Sequence, residues 1–443
     1  MDDDPLLKKY EKKLEIHTSS AWGFLRRKLY EFSERSTMFL YRKNRTKRIQ
    51  IIRFLYFFET IVFIPFVILV RIIKPFVVIR FGQLVSSRIG HFALNTELYL
   101  CYQEKYRKST KNCDFLYLQY PISNQQLLKM SKRCLNIYGF VRGIDFANKF
   151  LPGGSSHIIE FPSDRDLYLL SSTNPHLYLT LSEKKKGYSF LKKLNIKDKE
   201  YICFHVRDPM YLRRLVLTLR RTIHPSKLTS RRHDYRNSDI VNCLPAMERL
   251  AEMKYHIFRM GDAVEKELIS QNTRIIDYAN NGMRSEFLDI FLSVNCRYFV
   301  SASSGMNAIP IIFGVPLLVI NLIPLEYIPF NQEETIFIPK KLWFIDEHRF
   351  MKFGEIFESG AGRFLHTEQH EKMGVEVIEN TPEEIRDAVL EMEARLNGTW
   401  EEEKENDELQ RQFWEIFPRS ELHGKIRSRI GADFLRHYSE LLA

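Results

Sequence analysis

The chain has 443 residues, a net charge of +11, 44% hydrophobic residues and 13% aromatic residues. This length exceeds that of an ordinary single domain, and the composition excludes a disordered chain, a collagen-like chain and a disulfide framework. The six cysteines lack the C-x-x-C and histidine spacing of a zinc site, so we expect reduced, buried thiols. The first residues do not resemble a cleavable secretion signal.

The positive charge is concentrated in residues 1–75, which contain 16 Lys and Arg against 8 Asp and Glu. The other 368 residues contain 50 basic and 47 acidic side chains, so the remainder of the chain is nearly neutral. A basic segment of this kind binds nucleic acid or an anionic membrane.

Two neighbouring features of this N-terminal arm favour a membrane. Five basic residues lie within 42–48, and a strongly apolar run follows over 51–70. Arg53 and Glu59 interrupt the run, which argues against a conventional span and favours a segment that lies on or dips into an anionic leaflet. The alternative is an amphipathic helix packed on its own domain. We do not expect nucleic acid to bind, because the aromatic residues cluster in the apolar run instead of alternating with the arginines.

Beyond residue 75, short β-branched runs alternate with helical patterns, which predicts βαβ units and a parallel sheet. The predicted strands are 76–82, 114–118, 201–206, 255–259, 273–277, 297–300 and 315–321. The predicted helices are 92–100, 125–135, 238–253, 284–294, 306–313, 381–396 and 401–417. We therefore expect an α/β protein with the arm at 1–75, an α/β domain at 76–195, a second at 196–375 and closing helices at 376–443.

Basic and hydroxyl side chains follow the strands of the second α/β domain, where ligands of open parallel sheets bind. Small residues at a helix start bring backbone amides to phosphate oxygens, and arginine forks bind two oxygens at once. Asp277 could accept a hydrogen bond from a ribose or a base. The set predicts a phosphorylated ligand, with these candidate binding residues: His205, Arg207, Tyr235, Arg236, Asn237, Arg259, Gly261, Asp277, Tyr278, Ser301, Ser303, Ser304 and Gly305.

Six short motifs occur in a specific order: RIGH (88–91), HVRD (205–208), DYRN (234–237), RMG (259–261), IDYA (276–279) and SASSG (301–305). From about residue 76 onward, the chain resembles through them a family of bacterial glycosyltransferases encoded in surface-polysaccharide gene clusters. The resemblance implies the GT-B fold, in which two Rossmann-like domains face a cleft. It also implies a GDP- or UDP-linked sugar donor on the second domain and a glycan or lipid-linked acceptor on the first.

The start of the HVRD motif is also similar to the donor-binding strand end of GT-B fucosyltransferases. There the matching arginine holds the donor diphosphate, which implies that role for Arg207. A lipid-linked acceptor, together with the arm, implies peripheral or monotopic attachment at the cytoplasmic face of the bacterial inner membrane.

An inverting sugar transfer needs a base that takes the proton of the acceptor hydroxyl. His91 is the candidate, because a histidine titrates near neutral pH and this loop carries the base in many GT-B enzymes. Arg88 and Gly90 then lie on the acceptor side. Asp208 and Asp234 are rival bases, although each has arginine neighbours that would hold it as a structural partner.

No metal or other cofactor is expected. Asp164 and Asp166 have the D-x-D form of metal-dependent glycosyltransferases, but Pro162 and Ser163 before them indicate a turn instead of an apolar strand. Three alternatives stay open. The first is a metal-dependent transferase that uses these two aspartates. The second is a non-catalytic membrane-bound scaffold that binds sugar nucleotides or polysaccharide, and the third is a nucleic-acid binder that uses residues 42–48.

Overall fold

The computed structural model describes residues 61–106, 111–161, 165, 169–211, 213–214, 230–328, 334–420, 423 and 426–443. The cationic patch at 42–48, most of the N-terminal arm, and the aspartates at 164 and 166 lie outside the described residues. The predictions made for them stay predictions.

Two compact units make up the chain. The smaller unit consists of residues 1–79 and 140–158, and the larger unit of residues 80–139 and 159–443. The predicted domain boundaries at residues 75, 195 and 375 stay predictions.

The described part of the smaller unit contains two helices, α1 (61–72) and α4 (Val141–Phe150). Arg71, near the end of α1, donates hydrogen bonds to the carbonyls of Leu151 (3.2 Å) and Pro152 just beyond α4. Since the last carbonyls of a helix lack partners within it, this arginine holds the two helices together through the end of α4. Within the described residues, no helix is long and apolar enough to cross a membrane.

The larger unit contains most of β1 and the remaining elements. Its strands are β1 (Val78–Leu84), β2 (Asn112–Leu118), β3 (Tyr201–His205), β4 (His256–Arg259), β5 (Ile275–Ile276), β6 (Phe299–Ser301), β7 (Leu317–Leu322), β8 (Thr335–Pro339), β9 (Lys341–Phe344), β10 (Arg349–Phe350), β11 (Val375–Ile378) and β12 (Arg429–Ile430).

The α-helices of the larger unit are α2 (Ile89–Tyr106), α3 (Gln125–Cys134), α5 (Leu181–Lys193), α6 (Leu244–Glu252), α7 (Glu286–Asn295), α8 (Ala308–Ile312), α9 (Phe353–Glu358), α10 (Thr367–Met373), α11 (Pro382–Leu396), α12 (Lys404–Ile416) and α13 (Ala432–His437). Short 3₁₀ helices, including Ser230–Arg236, Ile240–Cys243 and Gly305–Asn307, connect several of them.

A parallel sheet of seven strands, in the order β12-β8-β7-β6-β3-β4-β5, dominates the larger unit. Its central strands are buried along most of their length: residues 201–204 of β3 and all of β7 are buried. Continuous apolar runs of this kind are typical of parallel sheets covered on both faces. The predicted α/β class with a parallel sheet is therefore confirmed.

Most predicted elements occur within two or three residues of their expected bounds. The predicted helix at 238–253 is divided, because Asp239 caps the 3₁₀ helix Ile240–Cys243 and α6 follows with Pro245 in its first turn. In the predicted first domain, β1 and β2 form a two-stranded sheet, with α2 and α3 following them. The three-stranded sheet β10-β9-β11 was not predicted.

Candidate functional site

A cavity of about 970 Å³ opens in the larger unit at the carboxyl ends of β3, β4 and β6. The N-terminus of α2 and the segment before α8 complete its wall. The volume lies in the range of small-molecule and cofactor sites. Twelve of the predicted site residues line it: Arg88, Gly90, His91, His205, Arg207, Asp208, Tyr235, Arg236, Gly261, Ser303, Ser304 and Gly305.

Two glycines bring the RIGH and SASSG motifs into backbone contact. A Cβ atom on Gly90 would lie 2.7 Å from the Cα of Gly305, and one on Gly305 would lie 3.1 Å from the nitrogen of Gly90. Only glycine at position 90 permits this approach without movement of the backbone. The N-termini of α2 and of the 3₁₀ helix before α8 consequently meet at the cavity wall, where the positive ends of the helix dipoles favour an anion.

Three arginines give the cavity a strong positive charge. Arg207 follows β3, Arg236 ends the 3₁₀ helix Ser230–Arg236, and Arg88 precedes α2. Among the described residues, no carboxylate forms an ion pair with any of the three. The Nε atoms of Arg207 and Arg236 are buried without a hydrogen-bond partner.

Burial and mutual repulsion lower the pKa values of the clustered arginines. Burial, and then the like charge of Arg236, lower the pKa of Arg207 to about 10. Burial also lowers the pKa of Arg236, with a further contribution from Arg88. An anion placed among these groups would remove the repulsion, because opposite charge stabilises the protonated guanidinium.

Backbone hydrogen bonds hold Arg207 and Arg236 in place. The amide of Ser238 donates to the carbonyl of Arg207 over 3.1 Å, which ties the two arginine-bearing segments together. The buried Lys340 donates from Nζ to the carbonyl of Asn237 over 2.5 Å. Asn237 itself does not line the cavity, and its side chain donates to Asp234.

Two histidines in the cavity are held neutral near pH 7. Burial, with Arg259 and Arg207 as further causes, lowers the pKa of His205 to about 4. Its Nδ1 atom lies 3.1 Å from the hydroxyl of Ser304, which also accepts from the amide of Met306. Burial and then Arg236 lower the pKa of His233 to about 4, and its buried Nδ1 atom has no hydrogen-bond partner.

The three candidate bases differ in their surroundings. His91 lies in the first turn of α2 and lines the cavity. Asp208 also lines it, but its two carboxylate oxygens accept from the amides of Met210 and Glu265, each over 2.8 Å, so it holds a loop. Asp234 is exposed, accepts from Asn237 over 3.0 Å and does not line the cavity. Of the three, His91 and Asp208 line the cavity and Asp234 does not, and the choice of base stays a prediction.

Arg259 and Asp277 pair with each other instead of lining the cavity. Arg259 is almost fully buried, and its Nη1 atom lies 2.9 Å from Oδ1 of Asp277. The other Asp277 oxygen accepts from the amide of Leu268 and the side chain of Asn280. The side chains of Arg259 and Asp277, which were predicted to bind the ligand, thus stabilise the loops that follow β4 and β5.

Tyr278 and Ser301 are likewise buried outside the cavity lining. The Tyr278 hydroxyl bonds to Asp289 and to the backbone of Ser285, and Ser301 donates to the carbonyl of Ala302. Ser303 does line the cavity, but its hydroxyl accepts from the amide of Ile323 over 2.9 Å. These hydroxyl groups mainly satisfy the surrounding backbone.

One wall of the cavity carries an ion-pair network that the sequence patterns did not predict. Arg284 contacts Asp262 over 2.5 Å and Asp289 over 2.6 Å, and Arg214 also contacts Asp262. Burial raises the pKa of Asp289. Asp262 follows β4 and could have been found by the strand-end rule, whereas Arg284 and Asp289 lie at the start of a helix and carried no such signal.

A second missed pair is Arg165 and Tyr327, which both line the cavity. The Arg165 guanidinium lies 4.2 Å from the centre of the Tyr327 ring, and it donates to the carbonyl of Glu326 over 3.1 Å. Arg165 therefore approaches the cavity as a positive group stacked on an aromatic ring.

Within the described residues, one cluster has donor atoms close enough for a metal: Glu97, Cys101 and His176. It does not line the cavity. The Glu97 carboxylate accepts from the amides of His176 and Leu177 over 2.6 and 2.9 Å, so it ties this loop to α2. The expectation of a metal-independent protein stays a prediction.

No protein-family model matches this chain, and no curated protein matches its sequence. Among solved structures, it is similar to ADP-heptose LPS heptosyltransferase II of Escherichia coli at 11% identity and a TM-score of 0.34, over 59% of this chain and 90% of that one. It is also similar to a family 9 glycosyltransferase from Veillonella parvula at 9% identity and a TM-score of 0.37, over 66% and 95%. TM-scores this low assign neither a fold nor a function to this chain.

The buried ion pair predicts a structural role for Arg259. We expect Arg259→Ala to lower the free energy of unfolding by about 3–5 kcal/mol, because the change leaves a partly buried carboxylate without its partner. Urea unfolding followed by tryptophan fluorescence measures this. Arg249→Ala, which breaks an exposed pair with Glu252, is the control and should cost less than about 1 kcal/mol. Equal stability of the two variants would show that the Arg259 pair does not anchor the fold.

His205 predicts a loss of stability in acid. Its pKa of about 4 in the folded protein lies below the value of about 6.5 in an unfolded chain, so only the unfolded state gains the proton as pH falls through this window. Between about pH 7 and pH 5 the native protein should lose about 2 kcal/mol of unfolding free energy that His205→Gln retains. Glutamine can still accept from Ser304. If the unfolding free energies of the native protein and of His205→Gln fell equally with pH, the lowered pKa of His205 would be contradicted.

Proposed function

We propose that this protein is a glycosyltransferase that moves a sugar from a nucleoside diphosphate sugar to a glycan or lipid-linked acceptor in bacterial surface-glycan synthesis. The reaction would be inverting and would need no metal. The observation that carries the proposal is the arginine cluster of the cavity, in which no described carboxylate forms an ion pair with Arg88, Arg207 or Arg236 and two Nε atoms lack a hydrogen-bond partner.

A diphosphate fits this cluster better than a single carboxylate does. It offers several oxygens to the planar forks of Arg207 and Arg236, and a guanidinium binds two such oxygens in parallel. The amide groups at the Gly90–Gly305 contact add dipoles that favour the same charge. The cavity volume of about 970 Å³ leaves room for a nucleoside and a sugar beside the phosphates.

The same arrangement accounts for the chemistry of transfer. As the bond between the sugar and the phosphate breaks, negative charge develops on the departing diphosphate, and the fixed arginines stabilise it. His91 would take the proton from the attacking acceptor hydroxyl. The bond from that hydroxyl oxygen to the sugar forms as the bond to the diphosphate breaks, so the configuration at the sugar carbon inverts.

Attachment to the cytoplasmic face of the inner membrane is part of the proposal. It would bring the cavity to a lipid-linked acceptor. It is supported by the five basic residues within 42–48 and by the apolar run over 51–70.

Arg207 and Arg236 should be required for binding of the donor. We expect Arg207→Ala and Arg236→Ala each to weaken UDP or GDP binding roughly tenfold to hundredfold, because each removes charge-assisted hydrogen bonds to phosphate. Arg207→Lys should restore binding only in part, since an ammonium cannot form the bidentate contact. Isothermal titration calorimetry measures the affinities.

The arginine variants should not lose stability together with affinity. Because the three arginines repel one another, removing one of them should leave the melting temperature unchanged or raise it, as is common where a site is organised for function at the expense of stability. Arg411→Ala changes an exposed arginine on α12 that is paired with Glu408 and Glu415, and it should bind nucleotide normally. Native affinity in both cavity variants, or no nucleotide binding by the native protein, would reject the proposal.

His91 should be required for turnover and not for donor binding. We expect His91→Ala to lower kcat by about 10²–10⁴-fold while the affinity for UDP or GDP changes little, because the base acts on the acceptor. Radiolabelled sugar transfer measures kcat, and His437→Ala, on an exposed residue of α13, is the control. A loss below about threefold at saturating substrate would exclude His91 as the base.

A further inference from the structure

Three side chains of the kinds that bind metal ions meet in the larger unit, outside the cavity lining. Glu97 and Cys101 lie four residues apart on α2, so they share one side of that helix. His176 approaches them from a loop 75 residues after Cys101 in the chain. A separation of this size leaves no local motif, which is why the spacing of the cysteines indicated no zinc site.

The three donor atoms are spaced almost as a tetrahedral ion requires. The sulfur of Cys101 lies 3.8 Å from Oε1 of Glu97 and 3.8 Å from Nδ1 of His176, and this nitrogen lies 2.9 Å from the same oxygen. Zinc bonds of about 2.0–2.3 Å in tetrahedral geometry place the ligand atoms about 3.3–3.6 Å from one another. The observed distances lie on both sides of this range, so small shifts of the side chains would admit the ion.

Neighbouring groups orient two of these ligands. The other ring nitrogen of His176, Nε2, lies 2.8 Å from Oε2 of Glu104, three residues after Cys101 on α2. Histidines that bind a metal almost always donate their second ring nitrogen to a carboxylate or carbonyl, which fixes the tautomer. The fully buried Glu97 accepts from the amides of His176 and Leu177, and ligating carboxylates are commonly held by such bonds.

The surroundings of the cluster strengthen its attraction for a cation. Cys101 packs with Leu98 and Leu169 in a small apolar core, and the attraction between a cation and a buried carboxylate is stronger in such surroundings than in water. Without an ion, only a doubly protonated His176 could donate to both Glu97 and Glu104, and the Cys101 thiol would contribute a weak hydrogen bond.

We infer that Glu97, Cys101 and His176 bind a zinc ion and that Glu104 orients the histidine. An imidazole, a thiolate and a carboxylate suit Zn²⁺, whereas Mg²⁺ and Ca²⁺ prefer oxygen ligands alone. As the bonds to zinc form, the proton of the thiol and any proton on Nδ1 pass to the solvent.

The ion would fasten the loop before His176 to α2. Leu170, Ser171 and Pro175 of this loop line the cavity, so zinc would support the cavity wall without contact with a bound nucleotide. This inference goes beyond the proposed function, because the ion has no part in sugar transfer. Zinc binding and nucleotide binding can therefore succeed or fail separately.

Zinc content and affinity test the site in the full-length protein. After dialysis against zinc, mass spectrometry of the metal should find bound zinc equal to the protein concentration. In competition with a chromophoric chelator, Cys101→Ser and His176→Gln should bind zinc more than about 100-fold more weakly, and Glu104→Gln about 10–100-fold more weakly. The control is Cys113→Ser, which changes a half-buried cysteine of β2 and should bind zinc normally.

Cobalt identifies the thiolate ligand directly. The native protein with Co²⁺ should show thiolate-to-cobalt charge-transfer absorption in the near ultraviolet, which Cys101→Ser loses and Cys113→Ser retains. Zinc should raise the melting temperature of the native protein and not that of Cys101→Ser, because a ligand of the folded state stabilises that state. Circular dichroism confirms that the variants are folded.

Equal zinc affinity of the native protein and Cys101→Ser, or no charge-transfer absorption in the native protein, would overturn the inference. The cluster would then be a protonated His176 held between two carboxylates. The affinity for UDP or GDP should not change when zinc is removed, and its loss would contradict the position of the ion outside the ligand site. A zinc-loaded protein that binds no nucleotide would reject the proposed function alone.

Discussion

The parallel pairing of β3 with β4 on one side and β6 on the other is the constraint on which the candidate site depends. Parallel strands all end at the same edge of a sheet, so the residues after them are brought together whatever their separation in the sequence. His205 pairs in register with Ser301, and Phe204 with Arg259. This register places the HVRD, RMG and SASSG motifs at one edge, and the Gly90–Gly305 contact adds the RIGH motif to them.

The fold keeps positive charges close together at that edge, and no described carboxylate forms an ion pair with Arg88, Arg207 or Arg236. Such an arrangement opposes folding, since burial and like charge both disfavour the protonated form of Arg207. The cost is offset elsewhere in the larger unit, by the buried parallel sheet and by pairs such as Arg259 with Asp277. A cavity that holds its cations on a well-packed scaffold is organised before an anionic ligand arrives.

The smaller unit differs from the larger one in the kind of side chain that it exposes. In its described part several large apolar side chains are exposed, although its helices are joined by hydrogen bonds. Exposed apolar area costs free energy in water and is recovered only against another apolar phase.

Sequence patterns alone determined the α/β class, five of the seven strands of the main sheet, seven helical segments, and the strand-end residues from which the site is built. These follow from periodicity and from the geometry of parallel sheets, which are local or general rules. The patterns could not separate Arg207 from Arg259, since both follow or end a strand in the same sheet. Only the tertiary structure decided that Arg259 meets Asp277 while Arg207 has no carboxylate partner among the described residues.

The same reason explains the other differences. Asp208 and Ser303 have the right chemistry at the right strand ends, but distant backbone amides occupy their oxygens. Arg284 and Asp289 line the cavity although no strand-end rule selects them. Whether a polar group is available to a ligand depends on which partners the fold brings within hydrogen-bond distance, and partners far apart in the sequence leave no local pattern to read.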